Sequence, residues 1–375
     1  MVSATGLVVG MIVFGSLNTI VRKAQMETCT SSSFPPSANV AKDCDDPTQE
    51  PFNKPWIGNL FMFVGEAMLF GAVFFEPRTI RPSESNNGLV LPAYYLAIPA
   101  SLDVIGSGLS GVSMLFISAS VWQMLRGSMI IYTAILSVIF LKRRLDPQHI
   151  AGLLVAFLGL SLVGLSAYLD SAVPEVFLGT FLFDRIADTE SSLAVFGIVL
   201  TVLSQLCSAA QVVVEEAMLK SGTLSPSRVV AFEGLWGLII MVIVLIVMQC
   251  VPGEDHGSYE NSVDSLGKLE NNFFLSFLVL VYCVSIALFN QCGMAVSKYL
   301  SSLHRTLIDS LRSIVVWGAQ LFMFYGFDSK TYGVAWTRNS WLQLVGFVLL
   351  VTGTLIYNEV LPLFKRSTIQ ERALE

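Results

Sequence analysis

Ten times along this 375-residue chain, a run of about twenty apolar residues recurs with hardly a charge inside it. A helix of that length crosses a hydrocarbon layer of about 30 Å. The runs lie near 3–21, 55–75, 91–115, 119–141, 149–169, 192–217, 227–250, 272–296, 303–325 and 340–361. Lipid offers the backbone no hydrogen bonds, so spanning segments are helices or closed barrel strands. The length of the runs and their lack of two-residue alternation select helices. Only 13% of residues are charged and 54% are hydrophobic, where a soluble chain carries about a quarter charged. The fold expected is an all-α membrane protein with ten transmembrane helices, its partners the lipid bilayer and a small-molecule solute. The net charge of −6 gives no reason to expect nucleic acid. The first run has no basic stretch before it and no A-x-A-like site after it, so it reads as a retained helix rather than a signal peptide.

Charge position sets the orientation. With the N-terminus in the cytosol, the loops and tail on that side hold twelve Lys and Arg, Arg305 among them, and the opposite side holds eight. The Lys/Arg rule then places both termini in the cytosol, with Lys142-Arg143-Arg144 its best support. Arg22 and Lys23, just after the first segment, disagree.

The pattern repeats. Residues 1–170, with a polar loop at 24–53, and 191–362 each hold five segments; an acidic linker covers 171–190 and a cytosolic tail 363–375. Leu125-Arg126-Gly127-Ser128 in the fourth segment matches Leu311-Arg312-Ser313 in the ninth. GLLVAFLG at 152–159 matches GFVLLVTG at 346–353, and Glu66 in the second matches Glu233 in the seventh. An odd number of helices per repeat inverts the second copy in the membrane, an arrangement common in transporters. The 24–53 loop is expected to lack regular structure; its Cys29 and Cys44 are open to a disulfide or to two free thiols. The 254–270 loop reads as a short amphipathic segment.

Gly106-Ser107-Gly108-Leu109-Ser110-Gly111 matches a dinucleotide fingerprint, but that site needs a preceding strand. Inside an apolar segment it reads as small residues that let helices approach. His149, His256 and His304 are scattered without metal-ligand spacing, and no nucleophile elbow or phosphate loop is present. Neither an enzyme nor a cofactor is expected.

The informative residues are ionisable groups within the segments: Glu66, Asp103, Arg126, Glu215, Glu216, Glu233, Asp309 and Arg312. An Asp, Lys or Arg at a helix centre costs about 2.5–3.5 kcal/mol to insert, and such groups normally face a bundle interior or an aqueous cavity. Asp309 and Arg312 are three residues apart and can pair. Arg126 needs an acid from elsewhere, Glu66 and Asp103 being the candidates. Buried acids in excess of arginines can carry protons or bind a cation. The substrate-binding residues expected are Glu66, Asp103, Gln123, Arg126, Glu233, Asn290, Asp309 and Arg312. Ion pairs that only lock helices together are the bland alternative.

The stretch SASVWQMLRGSMIIYTAILSVIFLKRRL (118–145), with Leu102-Asp103, Glu215-Glu216, Glu233-Gly234-Leu235, LIDSLRSIVVWG (307–318) and GFVLLVTGTLIYN (346–358), resembles the drug/metabolite transporter superfamily, and within it solute carrier family 35, subfamily F. The resemblance spans nearly the whole chain. It implies two inverted five-helix repeats, alternating access around a central cavity and exchange or proton coupling. It also implies an intracellular membrane, lysosomal, vacuolar or Golgi, with the mitochondrion as alternative. The acids favour a cationic or zwitterionic solute over a nucleotide sugar, whose phosphates call for Lys or Arg. A non-transporting membrane partner is the alternative from another class, and a homodimer or other membrane-protein partners stay open.

Overall fold

The computed structural model describes residues 4–31, 44, 49–52, 54–75, 93–113, 116, 125–171, 189–221, 224–253, 255–327 and 335–361. Within them lie α1 (Ala4–Glu27), α2 (Pro55–Phe75), a 3-10 turn (Ala93–Leu96) leading into α3 (Ala97–Ser113), α4 (Met129–Phe140), α5 (Pro147–Ser171) and α6 (Thr189–Ser221). They continue as α7 (Pro226–Cys250), α8 (Ser262–Asn271), α9 (Phe273–Tyr299), α10 (Ser302–Phe327) and α11 (Ser340–Tyr357). Among the described residues eight helical stretches are long and apolar enough to cross a membrane. α2, with 21 residues, and the shorter apolar α4, with 12, stand beside them. Large apolar side chains face outward, Phe140 and Phe273 among them, as lipid permits and water does not. The chain is a multi-pass, all-α integral membrane protein.

Helix ends are satisfied locally. Ser225 caps α7 by accepting the Arg228 amide at 3.3 Å, ahead of Pro226. Asn261 and Asn272 do the same for α8 and α9, meeting amides that would otherwise lack partners.

α5 packs along α11, α1 along α9, α2 along α7 and α3 along α6; α2 also meets α9, α3 meets α7, α1 meets α10, α4 meets α6, and α4 meets α10. The matched glycines make the α5–α11 seam. A Cβ on Gly353 would stand 2.3 Å from the Ala156 amide nitrogen, and one on Gly159 2.5 Å from the Gly346 carbonyl oxygen. The backbones touch where side chains would hold them apart. The small-residue run of α3 is also a packing surface: a Cβ on Gly106 would meet Ser208 of α6 at 3.1 Å.

The 24–53 loop departs from expectation. Cys29–Ser31 (β1) pairs antiparallel with Gln49–Pro51 (β2), Thr30 opposite Glu50, and a disulfide joins Cys29 to Cys44. The hairpin is anchored by ions from distant segments. Lys268 of α8 donates to Glu50 at 3.1 Å and pairs with Asp264 at 2.9 Å, while Lys54 pairs with Asp255 and Asp264. α8 is amphipathic the unusual way round, burying Asp264, Ser265 and Lys268 while Val263 and Leu266 face outward. Before it, the Glu260 carboxylate accepts the Trp56 and Ile57 amides at 3.0 and 2.7 Å, closing the N-terminus of α2. Arg22 lies inside α1 rather than in a loop. It donates to Gln25 and to the Lys54 and Pro55 carbonyls and sits 5.5 Å from the Tyr282 ring, so its position carries no topological weight.

Candidate functional site

The expected site residues fall into two groups, in contact through one helix. The first group is carboxylic. Glu66 of α2, Glu215 of α6 and Glu233 of α7 are buried, and Asp103 of α3 is half-buried. Their electrostatic neighbours are one another and Arg305. Arg305, itself buried, donates to Glu215. Gln211 donates to Glu233 at 3.0 Å and Asn290 of α9 donates to Glu66. Glu233 also lies within hydrogen-bonding reach of Glu215. Two carboxyl oxygens, Glu66 Oε2 and Glu215 Oε1, are buried without a hydrogen-bond partner. One guanidinium, bonded to Glu215, thus has four carboxyl groups as electrostatic neighbours.

The second group lines a cavity of ≈ 380 Å³. Arg126, Asp309 and Arg312 face it, with Lys23 and Thr19 of α1, Gln205 of α6, Thr306, Ser310, Ser313, Trp317 and Gln320 of α10, and Gln343 and Phe347 of α11. From Thr306 to Gln320 the wall follows α10 for about 21 Å. Arg312 lies 3.3 Å from Asp309, the expected three-residue pair, and 5.1 Å from the Phe289 ring. Its stem needs Gly15, where a Cβ would stand 2.9 Å from Arg312 Cδ. The expectation that Arg126 finds Glu66 or Asp103 is corrected. Arg126 shares the cavity with Asp309 and Arg312, and these are its charged neighbours. Gln123 lies outside the described residues.

Arg305 was assigned to a loop by the sequence, and it sits instead inside the bundle. One signal could have found it: Arg305, Asp309 and Arg312 follow at i, i+4 and i+7, a single helix face. Glu216, one residue from Glu215, has a different role. Its carboxylate accepts the Ser302 amide at 2.8 Å, at the start of α10, and pairs with Arg143 at 3.0 Å and with Lys220. Beside it the His149 and His304 rings meet the Tyr357 ring edge to face at 5.0 and 5.2 Å. These contacts tie that end of the bundle together, while the cavity reaches Lys23 and Gln343.

Two clusters have spacing that could hold a metal: Glu50, His256 and Asp264, and Asp146, His149 and Glu359. In the first, the Lys268 ammonium already contacts both carboxylates, occupying the place of a cation. In the second both carboxylates are exposed.

The model of the UAA transporter family matches residues 48–317. Solute carrier family 35 member F6 of Homo sapiens is 30% identical over 364 residues, covering 93% of this chain and 86% of its own length. The Mus musculus protein of the same name is 29% identical with the same coverage. An uncharacterised protein of Schizosaccharomyces pombe is 30% identical over 81% of this chain. A solved crystal structure, 13% identical, superposes with a TM-score of 0.59 over 96% of this chain and 97% of that one, a likeness of fold alone.

Proposed function

The chain belongs to the UAA transporter family, and on that premise we propose that it is a secondary transporter carrying a small organic solute by proton-coupled alternating access. The observation that carries the reading is the set of four carboxyl groups, three buried and one half-buried, near one guanidinium, next to a polar cavity in a lipid-embedded bundle. Fully ionised, that set would hold three uncompensated negative charges away from water, at a cost far above what folding tolerates. Protons remove the cost, and two carboxyl groups in contact, such as Glu215 and Glu233, bond only when one is protonated. Glu66, Asp103 and Glu233 are the proton carriers in this reading; Arg126, Asp309 and Arg312 receive the solute.

Alternating access needs two halves that can exchange roles. The helix neighbours support the inverted repeat of 1–170 and 191–362. Exchanging α1 with α6, α2 with α7, α3 with α9, α4 with α10 and α5 with α11 turns each of the packing pairs named above into another of them. The ion pairs and hydrogen bonds that Glu216 makes at one end, with the cavity reaching Lys23 and Gln343, support a state closed on one side. Both termini in the cytosol of an intracellular membrane is the orientation proposed. With Arg305 and Arg22 withdrawn from the two loop counts, eleven basic residues still face seven.

The cavity revises the solute expected from sequence. Among the described residues its wall offers Lys23, which pairs with Glu27 at 3.7 Å, and Arg126 and Arg312 against Asp309, which suits a zwitterion or an anion better than a cation. For the same reason a nucleotide sugar is the second reading. Purified protein in liposomes with an imposed pH gradient tests both against a non-transporting partner. Gradient-driven uptake of one class from a panel of amino acids, organic anions, organic cations and nucleotide sugars is expected. Glu66→Gln, Asp103→Asn and Glu233→Gln should abolish the response to the gradient. Three variants that respond like the unaltered chain would end the proton-coupled reading, and no uptake at all would favour the non-transporting one.

A further inference from the structure

A second cavity, of ≈ 320 Å³, lies between α4 and α5, and every residue lining it is apolar: Ile131, Ala134, Ile135, Val138, Leu145, Ile150, Leu153 and Leu154. Ile135, Val138, Ile150 and Leu154 are each 43–59% exposed. In a membrane-spanning chain that face meets lipid tails, and here it is concave.

The mouth of the groove is basic. α4 ends at Phe140, and Lys142-Arg143-Arg144 follows at once. Arg143 turns inward to Glu216 at 3.0 Å. Lys142 and Arg144 are exposed, and neither has an ion pair or a side-chain hydrogen bond among the described residues. Lys142 holds φ +50°, a left-handed conformation uncommon for a residue other than glycine. Two exposed carboxylates, Asp146 and Glu359, lie 4.0 and 3.9 Å from the His149 ring, which pairs with them only when protonated. Two free cations thus stand at the headgroup level above an acyl-sized apolar groove.

We propose that this groove is a binding site for an anionic glycerophospholipid, its phosphate held by Lys142 and Arg144 and one acyl chain lying between α4 and α5. Basic clusters at helix ends recognise anionic headgroups, each Lys or Arg near the surface raising affinity about fivefold. A second copy of the chain fits the patch less well. In a two-fold contact each surface meets its own image, which would bring Lys142 and Arg144 toward the same residues of the partner. The site is independent of what the central cavity carries.

The test is native mass spectrometry of the purified full chain, delipidated and offered equal amounts of phosphatidylglycerol and phosphatidylcholine. One phosphatidylglycerol per chain should be retained in preference. Lys142→Ala with Arg144→Ala should cut that preference by about 25-fold, at about fivefold for each basic residue. Lys142→Arg with Arg144→Lys should preserve it, and Val138→Trp, which fills the groove, should remove both lipids. If the alanine variant fails to fold, the preference of the unaltered chain must still fall as salt screens the headgroup contact. Equal retention of the two lipids, or a preference that neither alanine substitution nor salt alters, would overturn the site. So would a Val138→Trp chain that keeps its lipid but changes from dimer to monomer, since the groove would then be a contact between copies.

Discussion

Glu216→Gln tests whether the end of the bundle that Glu216 ties together is a gate. The carboxylate is fully buried and joins the end of α6, the start of α10 and the α4–α5 connection through Ser302, Arg143 and Lys220. Glutamine keeps one acceptor for the Ser302 amide but turns an N–H2 group toward the two cations. A hydrogen bond to a charged partner contributes about 1.5–3 kcal/mol, and the Arg143 contact, with the guanidinium 23% exposed, should lie in that range. Lys220 is 40% exposed, so solvent screens its share to under about 1 kcal/mol. The loss is then about 2–4 kcal/mol. If the two access states differ by a few kcal/mol, that shifts their ratio by roughly 30- to 700-fold.

The readout is thiol labelling of Ser137→Cys, in a background with Cys207, Cys250, Cys283 and Cys292 replaced. Ser137 is buried below the clamp, its hydroxyl 3.4 Å from that of Ser302. Adding Glu216→Gln should raise labelling at 137 by at least an order of magnitude and lower it for Gln320→Cys, which lines the cavity on the other side. Opposite changes at the two positions mark an exchange of access. A rise at both would mean local unfolding, and no change at either would refute the gate.

Two further substitutions address the scaffold. Gly353→Val should destabilise the chain by about 1–3 kcal/mol or more in detergent unfolding, because its Cβ would overlap the Ala156 amide; Gly318→Ala, with nothing within 4 Å, is the neutral control. Glu260→Gln should flatten the acid side of the stability profile. Burial raises the Glu260 carboxyl above its ordinary 4.5, although the Trp56 and Ile57 amides and Lys54 pull the other way. A raised carboxyl stabilises fully below about 4.5 and loses that contribution as pH climbs through its raised value. Unfolding temperature against pH in both proteins is the measurement, and equal slopes would refute the assignment.

The helices were legible because a lipid-crossing segment must be apolar throughout its own length, a local property. Glu66, Glu233, Arg126 and Arg312 were legible for the same reason, as charges where apolar residues should be. Arg305 was not, because it lies three residues into α10 and hydropathy alone cannot separate a helix end inside the bundle from one in a loop. The ion network of Glu50, Lys54, Asp264 and Lys268 was illegible on other grounds: it joins residues about 200 positions apart, and only the folded chain brings them together. The charge of the cavity wall was illegible too, because a count of acids in the helices says nothing of which ones share a cavity.

That division of charge is what makes coupling physically reasonable. Glu66, Asp103, Glu215 and Glu233 are gathered about Arg305, the cavity wall holds Lys23, Arg126 and Arg312 with Asp309, and α10 carries Arg305, Asp309 and Arg312 on one face. Seven helical residues separate Arg305 from Arg312, about 10 Å along the axis. One charge gained or lost beside Arg305 would be felt at that distance by about 1.7 kcal/mol at an effective dielectric constant of 20. That falls within the 1–3 kcal/mol typical of coupling between two sites. A proton entering the carboxyl cluster can therefore change the hold on a charged solute by more than tenfold without touching it, and the direction follows from sign. Neutralising an acid raises the positive potential along α10, so protonation tightens the grip on an anionic group and its release loosens it.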